Sequence, residues 1–433
     1  MSSSRSFAKR IVGKSWRIVT SPLRLAQKFY RAVLSTVFTL MFEGKWLIDR
    51  LPSSGAAQNA ALLIRLDLIG DFVLWLDSAR AYRELYPDKK IVLCANSVWS
   101  ELANQQPWWD EVIEIDLTRL RSDKAYCLRL MLSLHWRGFA VAIQPTFSRE
   151  LAVDRLVRAT GARQRIGQEG DTNNITAIDK SLSDTWYTTL IKADHPESME
   201  LTKNADFVRA LGAQDFRSSV GNLRPLGQPL PFFKTAEPYI LISPGASWRP
   251  KAWPAENFAQ LANELCLQQT RRIVLCGSPA DYALCKSIVG LINASVHALN
   301  ASVRATSPRV ENLAGQTSLT QLLELIAGAQ LMISNDSGNI HLAAALRIPS
   351  VCIVGGGHSA RFMPYVVEND EDCVLPRTAV HRMDCFGCHW RCKYQIEAST
   401  AVPCVANIAV SQVSEICSKV LVSLTRTELS EAK

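Results

Sequence analysis

Three strings in this 433-residue chain combine carboxylates, cations and glycine in ways that suit group transfer between oxygen atoms. The first is Ile64-Arg65-Leu66-Asp67-Leu68-Ile69-Gly70-Asp71. Gly70 permits a tight turn, and a helix start favours a carboxylate at Asp71 through free N–H groups and the dipole. Capping explains an acid there but not the whole string. The second, Ile242-Ser243-Pro244-Gly245-Ala246-Ser247-Trp248-Arg249-Pro250-Lys251-Ala252-Trp253-Pro254, leaves an apolar run. Lys251 offers a point charge to a diphosphate and Ser247 a hydrogen-bond donor; the alternative is a solvated surface loop. The third runs Ser334-Asn335-Asp336-Ser337-Gly338-Asn339-Ile340-His341-Leu342-Ala343-Ala344-Ala345-Leu346. It reads as strand, polar turn and helix, whose first N–H groups, around Ser337 and Gly338, make an anion site. Asp336 suits sugar hydroxyls. His341, one turn in, faces the phosphates or is a satisfied structural residue. Gly355-Gly356-Gly357-His358 offers a second close backbone approach, or a plain flexible loop.

Together these groups suit the transfer of a sugar from a diphosphate. A sugar hydroxyl is a poor nucleophile until a positioned carboxylate takes its proton. A diphosphate leaves more readily when cations and helix N–H groups neutralise its growing charge. No Asp-x-Asp pair flanks the strings, so Lys251 and the helix end would take a metal's role.

The elements that must position these residues alternate. Strands are predicted at Ala61–Arg65, Ile91–Ala95, Val112–Ile115, Phe139–Ile143, Tyr239–Ser243, Arg272–Cys276, Leu331–Ser334 and Ser350–Val354. Helical patterns fall at Phe72–Leu85, Tyr126–Trp136, Arg149–Thr160, Ala255–Leu267, Ala280–Leu291, Leu319–Ala327 and Ile340–Leu346. Asp171 to Pro238, rich in Ser, Thr, Asn and Pro with one helix near Leu201–Leu211, reads as the connection between halves. The length suits two domains, and the alternation predicts an α/β chain of two doubly wound parallel sheets. Their ligands belong in the cleft beyond the strands' carboxyl ends. The domain boundaries are set at 1–57, 58–225 and 226–433.

The formal charge of +8 is not spread over this body. Residues 1–57 hold ten Lys and Arg against Glu43 and Asp49, an excess equal to that of the whole chain. The body is therefore neutral, which removes the electrostatic case for nucleic acid. Apolar and aromatic residues recur at helical spacing from Phe7 to Met41, interrupted by Pro22. The longest uncharged run there, Ala32 to Phe42, is too short to span a bilayer. A helical extension lying on an anionic membrane surface is expected, with packing on the protein itself as the alternative.

The strings resemble glycosyltransferase family 9, the bacterial lipopolysaccharide heptosyltransferases. The likeness lies in R-x-D-x-x-G-D at Arg65–Asp71, Lys-x-Trp-Pro at Lys251–Pro254, N-L-A-G-x-T-S-L at Asn312–Leu319 and S-N-D-S-G-x-x-H-L-A-A-A-L at Ser334–Leu346. It implies a GT-B fold: two Rossmann-like domains facing a cleft, with the donor on the C-terminal half and the acceptor on the N-terminal half. It also implies an inverting, metal-independent transfer of a heptose or other sugar from a nucleotide diphosphate to a lipopolysaccharide or other lipid-linked cell-envelope glycan. Carried over, Asp71 is the general base and Lys251 and Ser247 stabilise the leaving diphosphate. Asp336 holds the donor sugar, Ser337, Gly338 and His341 line the phosphate site, and Asp281 falls near an acidic ribose contact. Typical members carry G-P-T and W-G-P where this chain has Gly355-Gly356-Gly357-His358 and Arg361-Phe362-Met363-Pro364-Tyr365. A nucleotide-sugar epimerase and a non-catalytic membrane-associated relative are the rival readings.

Of twelve cysteines, eight are scattered among apolar neighbours and read as free thiols in a reducing compartment. With no signal-peptide pattern, a cytoplasmic place on the inner face of the inner membrane is expected. The other four, Cys385, Cys388, Cys392 and Cys404, are spaced for a structural zinc site, for disulfides or for thiols that only pack. No cofactor is expected in catalysis.

Overall fold

The structure is a computed structural model that describes residues 33, 59–223, 237–269, 272–300, 309–398 and 400–431. The basic extension, apart from Val33, and the predicted boundary at 225/226 lie outside the described residues. Twelve strands form two sheets: β1 (Ala60–Arg65), β2 (Lys90–Asn96), β3 (Glu111–Ile115), β4 (Val141–Gln144), β5 (Gln164–Gln168) and β6 (Thr189–Ile191), then β7 (Tyr239–Ser243), β8 (Arg272–Leu275), β9 (Val310–Asn312), β10 (Leu331–Asn335), β11 (Ser350–Val354) and β12 (Arg377–Val380).

The first sheet has the order β3-β2-β1-β4-β5-β6 and the second β12-β11-β10-β7-β8-β9. Every pairing is parallel. Read from its β9 edge, the second sheet repeats the first. Each reverses direction at its centre, between β1 and β4 and between β7 and β10, where a crevice opens beyond the strand ends.

The central strands form because they are apolar on both faces: β1, β7, β10 and β11 are buried at every residue. The predicted central strands agree with the observed ones within one or two residues. β5, β6, β9 and β12 carry polar residues and lie at or next to sheet edges, so they lack a strong apolar signal. The stretch read as a connection in fact contains a helix, Ala177–Asp184, and β6, which complete the first sheet. Five of the predicted helices also begin elsewhere: at Ile69, at Lys124, at Leu151, at Gly338 and, after a 3-10 turn at Pro279–Asp281, at Tyr282.

The halves touch closely where two helices begin. The helices Ile69–Leu85 and Gly338–Ala345 meet at their glycines: a methyl on Gly338 would sit 2.5 Å from Ile69 Cγ2, and one on Gly70 3.3 Å from Gly338 Cα. The absence of a side chain at both positions is what lets the helix starts come this close, most strictly at Gly338.

Candidate active site

The turn after β1 is clamped from beneath. Arg65, 1% exposed, donates from Nε to Asp67 Oδ1 at 2.8 Å and from Nη1 to Asn204 at 3.1 Å. Asn96 Nδ2 and Trp99 Nε1 hold the carbonyls of Leu66 and Asp67, each at 2.8 Å. The helix begins at Ile69 with Leu68 at the N-cap position, so Asp71 is in the first helical turn and is no N-cap. Its carboxyl is raised to about 7, first by burial, then by Asp67 and Glu200, against Arg65 and Arg361. A carboxyl with that affinity suits a general base near neutral pH.

On the other side of the cleft, Asn335 ties two loops together. Its Nδ2 donates to Pro244 O at 2.7 Å and its Oδ1 accepts from Trp253 N–H at 3.0 Å. The fully buried Trp253 donates from Nε1 to Ile408 O. The Trp of Lys-x-Trp-Pro is thus an anchor, and it sets Lys251 at the end of a 3-10 turn, Arg249–Lys251. Burial lowers the Lys251 ammonium and Asp336 raises it, with burial winning; Asp336 itself is pushed up to about 6 by burial, against Lys251.

Both sides line one cavity of ≈ 840 Å³, within the range of small-molecule sites. The sequence-predicted Asp71, Lys251, Ser247, Asp281, Asp336, Ser337, Gly338 and His341 all belong to its wall. Their detailed situations differ. Ser247 is exposed, and Ser337 stands at the N-cap position of the Gly338 helix without a side-chain cap bond, its Oγ 3.1 Å from Ser334 Oγ. Asp281 lies in the 3-10 turn, not in the helix; its Oδ2 accepts from Ser278 N–H and Oγ. His341 is buried, hydrogen-bonded at 2.8 Å through Nδ1 to the Tyr365 hydroxyl, and lowered to about 4 by burial. It meets the cleft as a neutral ring.

Two wall residues escaped the sequence reading because they come from distant segments. Glu200 begins the helix Glu200–Ala210, and Arg361 follows β11. Arg361 Nε donates to Glu200 at 2.7 Å and Nη2 to Ser148 Oγ at 2.8 Å, while its carbonyl accepts from Glu200 N–H. Burial raises the Glu200 carboxyl, but Arg361, Lys203 and Arg65 outweigh it and leave it below the ordinary range. A residue of the second half thus neutralises an acid of the first, beside Asp71.

The zinc expectation finds no support. Cys385, Cys388, Cys392 and Cys404 are free thiols that line one small apolar cavity, and among the described residues no three His, Cys, Asp or Glu side chains are gathered to hold a metal. The segment is held by packing. Methyls on Gly356 and Gly357 would overlap Phe386 and Trp390, and one on Gly355 would lie 2.7 Å from Trp390. The three glycines therefore admit aromatic rings. The eight scattered cysteines are free, six of them buried.

The profile of "Glycosyltransferase family 9 (heptosyltransferase)" matches residues 129–385, more than half the chain. The chain belongs to glycosyltransferase family 9. A curated member, lipopolysaccharide heptosyltransferase 2 of Escherichia coli (strain K12), is 36% identical over 119 residues, which are 27% of this chain and 31% of that protein. The match thus spans about a third of that relative's length. Among solved family structures, E. coli ADP-heptose lps heptosyltransferase II aligns with a TM-score of 0.61 at 21% identity, covering 84% of this chain and 99% of that one. E. coli heptosyltransferase WaaC with ADP-2-deoxy-2-fluoro heptose aligns at 0.58 and 15%, covering 83% and 99%. These likenesses carry the fold, which is the GT-B arrangement of the family.

Proposed function

We propose that this protein is an inverting glycosyltransferase that moves a sugar, heptose being the first candidate, from a nucleoside diphosphate to a cell-envelope glycan. The observation that carries the reading is one cavity lined by Asp71 from the first half and by Lys251, Ser337 and Gly338 from the second. Asp71 Oδ takes the proton of the acceptor hydroxyl as its oxygen attacks the anomeric carbon. The bond to the diphosphate breaks on the opposite face, which inverts that centre. Lys251 and the N–H groups of the Gly338 helix take up the charge that develops on the leaving oxygen. Asp336, kept near Lys251, accepts from hydroxyls of the donor sugar, and Asp281 Oδ1 stands at the nucleoside end.

With these cations and amides in place, catalysis needs no metal in this reading. The donor sugar matches the relatives' printed names, and a lipid-linked acceptor fits a catalytic body carried by a basic extension. The longest uncharged run of the extension, Ala32 to Phe42, is too short to span a bilayer, so attachment is assigned to the surface. Asp71→Asn is expected to lower transfer about 10²–10⁴-fold, the usual worth of general-base catalysis, while ADP binding persists. Wild-type transfer is expected to survive EDTA. Transfer by Asp71→Asn at the wild-type rate would remove the base; a full, zinc- or magnesium-reversible loss in EDTA would remove the metal-independent step.

A further inference from the structure

One histidine in the cavity wall was singled out only as the end of a glycine run. His358 is half-buried, lines the cleft with Lys251 and Arg361, and lies in the loop after β11. Trp390 Nε1 donates to His358 Nδ1 at 3.2 Å. An indole nitrogen can only donate, so Nδ1 must accept and the ring proton must reside on Nε2. Burial, then Arg361, Lys251 and His389, hold the imidazole down at about 4, so it is neutral at working pH. Among the described residues Nε2 has no hydrogen-bond partner, and it is not one of the buried unpaired atoms, so it is open to the cleft.

The same indole serves Lys251. The Lys251 ammonium sits 4.4 Å from the centre of the Trp390 ring, so face and edge of one side chain hold two donors of the cleft. Trp248 packs edge-on against that ring at 6.1 Å. The chain bears a backbone cost for this placement: His389 and Trp390 both have left-handed φ, 49° and 62°, which non-glycine residues rarely adopt. Such strain concentrates where a side chain must be aimed. Three successive glycines then make room for the rings.

We propose that His358 Nε2–H donates a hydrogen bond to the diphosphate of the bound nucleotide sugar, beside Lys251, and that Trp390 is the positioning residue that fixes both. This rests on the glycosyl-transfer reading for the identity of the ligand. A neutral donor adds to Lys251 without a second buried cation, and it needs no reorganisation as charge grows on the leaving oxygen.

The test uses ADP as the probe, with the full chain. His358→Ala is expected to weaken ADP binding about 10-fold or more and to lower kcat more than the donor KM, as loss of a hydrogen bond to a charged group does. His358→Gln, which keeps a side-chain N–H, is expected to restore much of both. In ¹⁵N-histidine spectra His358 is expected as the Nε2–H tautomer, perturbed by ADP, and Trp390→Phe is expected to release that tautomer while keeping the ring under Lys251. Unchanged ADP affinity and kcat in His358→Ala, or an Nδ1–H tautomer in the wild type, would overturn the proposal. If the wild type binds ADP with these responses yet transfers no sugar, the glycosyl-transfer reading falls and the diphosphate contact stands.

Discussion

Asp71 gathers opposing influences on one carboxyl. Burial, Asp67 and Glu200 raise it to about 7, while Arg65 and Arg361 pull the other way. As a base it works ionised, so kcat/KM is expected to climb about tenfold per pH unit below 7 and to level off above it. Arg361→Gln removes a charge that favours the ionised form and is expected to move that midpoint to higher pH, read from a pH–rate profile. The same shift has a stability side. A carboxyl raised in the folded state costs nothing when protonated in both states, and its penalty grows from about pH 4 to full size above pH 7. Asp71→Asn is therefore expected to gain thermal stability relative to wild type at pH 8 and not at pH 3.

At the scale of elements, the cleft depends on two helix starts brought together through glycine. The Ile69 and Gly338 helices converge with their N-terminal ends, which concentrates free N–H groups on one wall of the cavity. Gly338→Ala places a methyl 2.5 Å from Ile69 Cγ2, so the Ile69 side chain or the helix start that carries it must shift to admit it. The expected cost is about 1–3 kcal/mol by thermal or urea unfolding, with a larger fall in transfer because the shift falls where both halves of the site meet. Wild-type melting and activity in that variant would show that the two helices do not need this approach. The signature string is legible as a turn and helix, but its first glycine's partner is Ile69, over 260 residues away, which no local pattern reveals.

For the whole molecule, the same strand order appears twice, and each order puts its crevice on the same cavity. Charge is distributed differently from structure: the excess sits before the first sheet, in residues 1–57. A neutral catalytic body with a basic, aromatic extension fits an enzyme that meets a lipid-linked acceptor at an anionic surface. Removing residues 1–50 is expected to weaken binding to phosphatidylglycerol-containing vesicles in a flotation assay, and to leave transfer to a short soluble acceptor unchanged. Equal vesicle binding by the truncated chain would assign the extension to the protein's own surface.

The sequence by itself determined the central strands, because continuous apolar runs have few other ways to be buried. It also pointed to Asp71, Lys251, Asp336 and the Ser337–Gly338 turn, which the fold brings to one cavity, because carboxylates, cations and glycines sat at strand ends in recognisable strings. Three of the four edge strands, β6, β9 and β12, escaped together with β5 beside one of them, since partly exposed segments such as Thr189–Ile191 need no apolar pattern. Tertiary structure alone decided the roles of Glu200, Arg361 and Trp390, whose partners lie across the chain. It also showed what Gly355–Gly357 make room for, the rings of Phe386 and Trp390, since a glycine's purpose is set by what fills the space its side chain leaves.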